Sequence, residues 1–136
     1  MWSWIKKLLG GQKKQERVNV QETKFPGVVV GRVLSVAKHP NADRLNIAVV
    51  DIGSEKLDIV CGGPNLAENQ LVPVALVGAV LPNGLEIKAA GIRGVKSSGM
   101  ICAEDELGLG SGHEGIMVLK EQAVIGGPID NFVSNN

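Results

Sequence analysis

The pattern of apolar and polar positions changes character near residue 25. Ahead of it, "MWSWIKKLLGG" sets Trp2, Ile5 and Leu9 at helical spacing until Gly10 and Gly11 end the pattern. The following "QKKQERVNVQETK" is polar, lacks a core-forming period and reads as a linker. From Phe25-Pro26-Gly27 onward the chain becomes a series of short apolar runs rich in β-branched residues.

"VVVGRVLSV" (28–36) is interrupted by Gly31, which predicts a bulged or sharply curved strand. "LNIAVVDIG" (45–53) alternates, with Leu45, Ile47, Val49 and Asp51 on one side, and "KLDIVCG" follows the turn at Gly53-Ser54-Glu55. "LVPVALVGAVL" (71–81) is a fourth run, and "PNG" (82–84) is a hairpin signal because Asn-Gly suits the primed turn types. "LEIKAAGIRG" and "GMICA" continue the series and "GIMVL" (115–119) closes it as a further C-terminal strand, while residues 104–109 fit one helical turn. Short, curved strands with glycine turns over a body of about a hundred residues predict a closed or partly closed β-barrel. A small five-stranded barrel of the oligonucleotide/oligosaccharide-binding kind fits this length, and a sandwich fits the same pattern.

The chain of 136 residues suffices for one domain: a segment and linker at 1–26, a folded body at 27–131 and a short tail at 132–136. Net charge is zero but unevenly placed: residues 1–26 hold six basic and two acidic residues, a net of +4, and the rest eight basic and twelve acidic, a net of −4. The four aromatics, Trp2, Trp4, Phe25 and Phe132, all lie toward the ends. The body must therefore pack with aliphatic residues, and it lacks the rings on which unpaired bases usually stack. Cys61 and Cys102, each in an apolar run, read as buried, reduced thiols of a cytoplasmic protein. No signal peptide follows Lys6 and Lys7, and the longest apolar run is broken by Pro73 and too short to span a bilayer.

Catalytic patterns are weak. "GSGHEG" (110–115) matches a dinucleotide-binding fingerprint in letters, but a helical turn precedes it and a strand-like run follows, the reverse of the required order. His39, His113, Cys61 and Cys102 form no close ligand pair, and the two histidines read as ordinary surface residues of polar loops. Glu104, Asp105 and Glu106 suit the start of a helical turn. No nucleophile has a base partner, so neither catalysis nor a cofactor nor a metal is expected.

Five of the body's eight basic residues fall in "KHPNADR" (38–44) and "KAAGIRGVK" (88–96). If both segments line one barrel face, Lys38, Arg44, Arg93 and Lys96 make a local basic patch, with Asn41, Ser97 and Ser98 as hydrogen-bonding groups for phosphates or 2′-hydroxyls. Without aromatics such a face would read backbone shape; an ordinary solvated surface accounts for the same residues.

"KHPNADRL", "IVCGGPN", "VPVALVGAVLPNG" and "IRGVKSSGMICAEDELGL" stand in this order over residues 38–109. In that arrangement the chain resembles the tRNA-binding domain family over roughly residues 27–130, and within it the N-terminal insert of the bacterial phenylalanyl-tRNA synthetase β subunit. The resemblance implies an oligonucleotide/oligosaccharide-binding barrel that holds tRNA by its folded shape, near the outer corner of the L. It also implies that the R-G-x-x-S-x-G-M signature, here Arg93, Gly94, Ser97, Gly99 and Met100, takes part in tRNA binding. Gly94 and Gly99 would permit a tight backbone course, Ser97 would contact the ligand, and Met100 would pack or contact beside it. The loop at 38–44 should lie on the same side.

Nothing in these residues resembles the aminoacylation or editing regions of the synthetase, so a non-catalytic tRNA-binding module is expected. A homodimer, common among stand-alone members, would add avidity. The alternative is a protein-interaction or chaperone-like module with little RNA affinity, docking through Trp2, Trp4 and nearby lysines on a partner or a membrane surface.

Overall fold

A computed structural model describes residues 23–112 and 114–132. The segment around Trp2 and Trp4, most of the linker, His113 and the tail from residue 133 lie outside the described residues. Seven strands form in chain order: β1 Val28–Lys38, β2 Asn46–Asp51, β3 Lys56–Cys61, β4 Leu71–Ala75, β5 Ala90–Ile92, β6 Val95–Ser97 and β7 Met100–Ile101. A 3-10 turn follows at Asp105–Leu107, inside the span expected to be helical.

Five strands make one antiparallel sheet in the order β3-β2-β1-β4-β7, while β5 and β6 form a separate hairpin. The sheet curls until its ends meet. Ser98 N–H donates to Asp58 O at 2.9 Å, and Val60 N–H donates to the Ser97 hydroxyl at 3.0 Å, so the chain entering β7 is tied to β3. The result is the nearly closed five-stranded barrel that the strand pattern predicted.

The curl is set in β1. Its second half, from Arg32, pairs with β2 along one edge, and its first half, through Arg32, pairs with β4 along the other. The register shifts between Val33 and Ser35, leaving Leu34 unopposed as a bulge. Val29 and Val33 pack on the barrel's interior cluster before the bulge, and Val36 does so after it. An extra residue reverses the odd-even alternation, which is how an even-numbered position joins two odd-numbered ones. The bulge thus lies at Leu34 and not at Gly31, where it was expected. Gly31 matters for close packing instead. A Cβ there would stand 2.6 Å from Val50 Cγ1 and 2.8 Å from Val74 Cγ2, so its absence lets β2 and β4 close over β1.

β4 is buried along its whole length because it serves two cores. Val72 and Val74 point into the barrel with Val33, Val50, Ile59 and Ile101. Leu71 and Ala75 belong to an outer cluster with Phe25, Val30, Leu107, Met117, Leu119 and Ile129. Pro73 accepts a hydrogen bond from Cys102 N–H at 3.0 Å and has no N–H to return, so the β4–β7 ladder ends there.

The run at 71–81 is therefore not one strand. It breaks after Ala75 into a turn, with Ala79 N–H bonded to Leu76 O and Gly78 at φ 100°. The hairpin at 82–84 does form, with Gly84 at φ 90° and Leu81 N–H bonded to Leu85 O at 2.9 Å. A single bridge, Val80 to Glu86, flanks it in place of paired strands.

The C-terminal strand expected at 115–119 is also corrected. Met117 N–H donates to Cys102 O and Leu119 N–H to Leu71 O. These successive bonds reach two different segments, so no ladder propagates. The segment instead covers the outer face of β4, and residues 126–128 take the edge of β1 that β2 leaves free, through Val30 N–H to Gly127 O and Gly126 N–H to Val30 O. The packed body also extends past the expected limits. Thr23 and Lys24 bond to the Asp130 carboxylate, Phe25 is buried, and Phe132 packs on the outer cluster.

Candidate nucleic-acid interface

The two basic segments of the sequence meet at one end of the barrel, where the β1–β2 loop touches the β5–β6 hairpin. Ile92 pairs with Val95, so Arg93 and Gly94 are the two residues of the hairpin turn. Both have positive φ, 53° and 90°, which is the type I′ arrangement whose twist suits a tight hairpin. Gly94 adopts this without strain. Arg93 does so at a cost of roughly 1 kcal/mol, since a side chain with a Cβ disfavours the left-handed region.

The partner loop is closed on itself by His39 N–H to Leu45 O and Leu45 N–H to Ala42 O. Lys38 Nζ caps it, donating to Asp43 O at 2.6 Å. His39 overturns its expected place on the surface: it is 2% exposed. Its Nδ1 accepts the Asn41 N–H at 3.0 Å. The proton must therefore sit on Nε2, which donates across the interface to Ile92 O at 2.9 Å. Asn41 adds two longer links to the turn, Nδ2 to Arg93 O at 3.3 Å and its own carbonyl from Arg93 Nη2 at 3.4 Å. The entering side of the hairpin turn, Ile92 and Arg93, is thus held by the loop.

This geometry leaves Lys38, Arg44, Arg93 and Lys96 exposed on the joined elements. Arg44 and Lys96 make no side-chain hydrogen bond among the described residues. Ser98 is half-buried, its N–H tied to Asp58 O. Met100 is half-buried against the outer cluster and also lines a cleft of about 250 Å³ with Val60, Ile92 and Gly99. Gly99 has φ 151°, and a Cβ there would meet Ala75 O at 3.0 Å.

Ser97 departs from the ligand-contacting place expected for it. It is 3% exposed, and its hydroxyl accepts from Val60 N–H at 3.0 Å and donates to Gly99 O at 3.2 Å. The group is used within the fold, where it closes the barrel beside the interface. His39 is the residue that sequence reading missed. Its role depends on a carbonyl 53 positions away, and no local spacing signals that contact.

The remaining chemical candidates sit elsewhere. Cys61 and Cys102 are free and buried. Burial, with a smaller contribution from the Glu106 carboxylate, pushes the Cys102 thiol up to about 12, and burial raises Cys61 as well. Neither is a nucleophile near neutral pH. Glu106 accepts from Ala103 N–H at 2.7 Å, a bond from the turn back to the chain that enters it. Among the described residues no three His, Cys, Asp or Glu side chains converge on a metal position.

Comparison with known proteins agrees with this architecture. Residues 28–128 match the family model described as "Putative tRNA binding domain". The chain is 58% identical over 100 residues to the phenylalanine–tRNA ligase beta subunit of Nitratidesulfovibrio vulgaris, covering 73% of this chain and 12% of that one. It is 52% identical over 111 residues to the same subunit of Aromatoleum aromaticum, covering 81% and 14%. The chain thus spans about an eighth of the length of these relatives. Among solved structures, the C-terminal domain of Plasmodium vivax p43 superposes with a TM-score of 0.53 at 27% identity, covering 73% of this chain and 56% of that one. A MetRS related protein from Pyrococcus horikoshii superposes with a TM-score of 0.57 at 23% identity, covering 83% and 97%, a likeness of fold. By its matched residues and its barrel, the chain belongs to the tRNA-binding domain family.

Proposed function

We propose that these residues act as a non-catalytic module that binds folded tRNA through its sugar-phosphate backbone, using the β1–β2 loop and the β5–β6 hairpin. The observation that carries this reading is the junction of the two segments: Lys38, Arg44, Arg93 and Lys96 are exposed on two elements joined by His39 and Asn41. A rigid, aromatic-free, basic corner suits phosphates spaced by a folded RNA better than it suits splayed bases. Met100 and Ser98, half-buried beside it, would add contacts at the margin. Gly94 and Gly99 supply the backbone course, and Ser97 supports it from within.

The match is confined to a region that is a small share of the synthetase subunits, so aminoacylation is not assigned to it. The module works in the cytoplasm on this reading; among the described residues no helix is long and apolar enough to cross a membrane. A homodimer would raise affinity by avidity, and the exposed Val77, Val80 and Leu85 offer apolar surface for it. Fluorescence anisotropy with folded tRNA, single-stranded RNA and duplex RNA at two salt concentrations tests the function. Preferential, salt-sensitive binding of folded tRNA supports it; absent or indiscriminate binding rejects it. Sedimentation of the same sample distinguishes one copy from two.

A further inference from the structure

We infer that His39 is the positioning residue that makes the loop and the hairpin act as one RNA-binding surface. The inference rests on the tRNA-binding reading for its effect on affinity, and on geometry alone for the coupling. His39 is almost completely buried, so it cannot itself touch a ligand. Each of its ring nitrogens serves a different element: Nδ1 orders the loop by accepting Asn41 N–H, and Nε2–H grips the hairpin at Ile92 O.

The Ile92 carbonyl immediately precedes Arg93, the strained residue of the turn. Among the described residues the other hydrogen bonds across this junction are the two Asn41–Arg93 bonds of 3.3 and 3.4 Å, long enough to be weak. The shorter, buried imidazole bond is therefore what holds Arg93 against the loop that carries Arg44. A buried ring with both nitrogens satisfied has one orientation, whereas exposed side chains sample several. Basic side chains on two independently moving elements would lose affinity for a folded RNA, because binding would have to freeze their relative motion.

Two measurements on the full chain test this. The first needs no RNA: backbone ¹⁵N relaxation of the wild type and of His39→Phe, a ring of similar size with no nitrogen. Order parameters at residues 41–44 and 92–95 should fall together in the variant while those of β2 and β4 stay unchanged. Unaltered values at the loop and hairpin would overturn the coupling. Should His39→Phe fail to fold, His39→Gln keeps an N–H donor for Ile92 O but not the ring acceptor for Asn41, and should loosen the loop more than the hairpin.

The second is a double-mutant cycle on affinity for folded tRNA. Arg93→Ala should weaken binding by about tenfold in the wild type and by clearly less in the His39→Phe background, since residues in one network couple. His39→Gln should recover part of the loss, which a general packing defect would not show. Additive effects would overturn the positioning role. If the wild type binds no folded tRNA, the functional reading fails, and the relaxation result still decides whether His39 couples the two elements.

Discussion

Val60 N–H donates to the Ser97 hydroxyl at 3.0 Å, so a side chain of the hairpin occupies a place in the barrel wall where a backbone carbonyl would ordinarily sit. That single oxygen joins β6 to β3 and also reaches Gly99 O. Removing it leaves a part-buried amide without this partner.

Ser97→Ala should therefore destabilise the fold by about 1 kcal/mol, the net contribution of a part-buried hydrogen bond. Ser98→Ala, whose tie to β3 runs through its backbone, should lie within about 0.5 kcal/mol of wild type. Urea unfolding of both variants checks this, and equal stabilities would show that the hydroxyl bond adds nothing.

Arg93 holds a conformation better suited to asparagine or glycine. Arg93→Asn should raise stability by about 0.5–1 kcal/mol, because asparagine favours the first position of a type I′ turn. The same substitution should weaken binding to folded tRNA about tenfold if the guanidinium meets phosphate. Thermal unfolding and anisotropy on one preparation read both effects, and a variant that is less stable yet binds normally contradicts the assignment.

Salt dependence separates the faces of the molecule. Removing one side chain that neutralises a phosphate should lower the slope of log affinity against log salt by about 0.7–0.9. Arg44→Ala and Lys96→Ala should each show that drop. Lys120→Ala should not, since Lys120 follows Leu119 on the segment that covers the outer cluster. Three equal slopes would indicate a diffuse electrostatic attraction and no defined interface.

Cys102 makes stability depend on alkaline pH. Its thiol rises from the ordinary 9.0 to about 12 on folding, chiefly through burial. Above pH 9 the unfolded chain releases this proton while the folded one keeps it, so the native state binds more protons and stability falls as pH rises. The contribution is complete below about pH 9 and is lost progressively toward pH 12. Urea midpoints at pH 7 and pH 10 should differ more for the wild type than for Cys102→Ala. Native Cys102 should also resist alkylation at pH 8 until denaturant is added.

The basic segments were visible as sequence, and so was their order, yet which side chains face outward was not. Ser97 and Ser98 look alike in "VKSSGM", and one is internal while the other lies at the margin. Strand alternation across the hairpin, together with the closeness of Val60, makes the distinction. β2 gives a similar case. Leu45, Ile47, Val49 and Asp51 share a side as expected, but Ala48 and Val50 are the residues that fill the barrel.

What the sequence by itself determined was local: β-branched runs that favour strands, glycine turns that bend them, an aliphatic interior, and motifs spaced in the manner of a tRNA-binding barrel. Backbone preference and side-chain periodicity act over a few residues, so they are legible without coordinates. The tertiary structure decided the rest. It set the bulge at Leu34, spread the bonds of residues 115–119 over two segments instead of a ladder, and buried His39 against Ile92. Each of these depends on which distant group happens to stand opposite when the sheet closes, and closure is a property of all five strands at once.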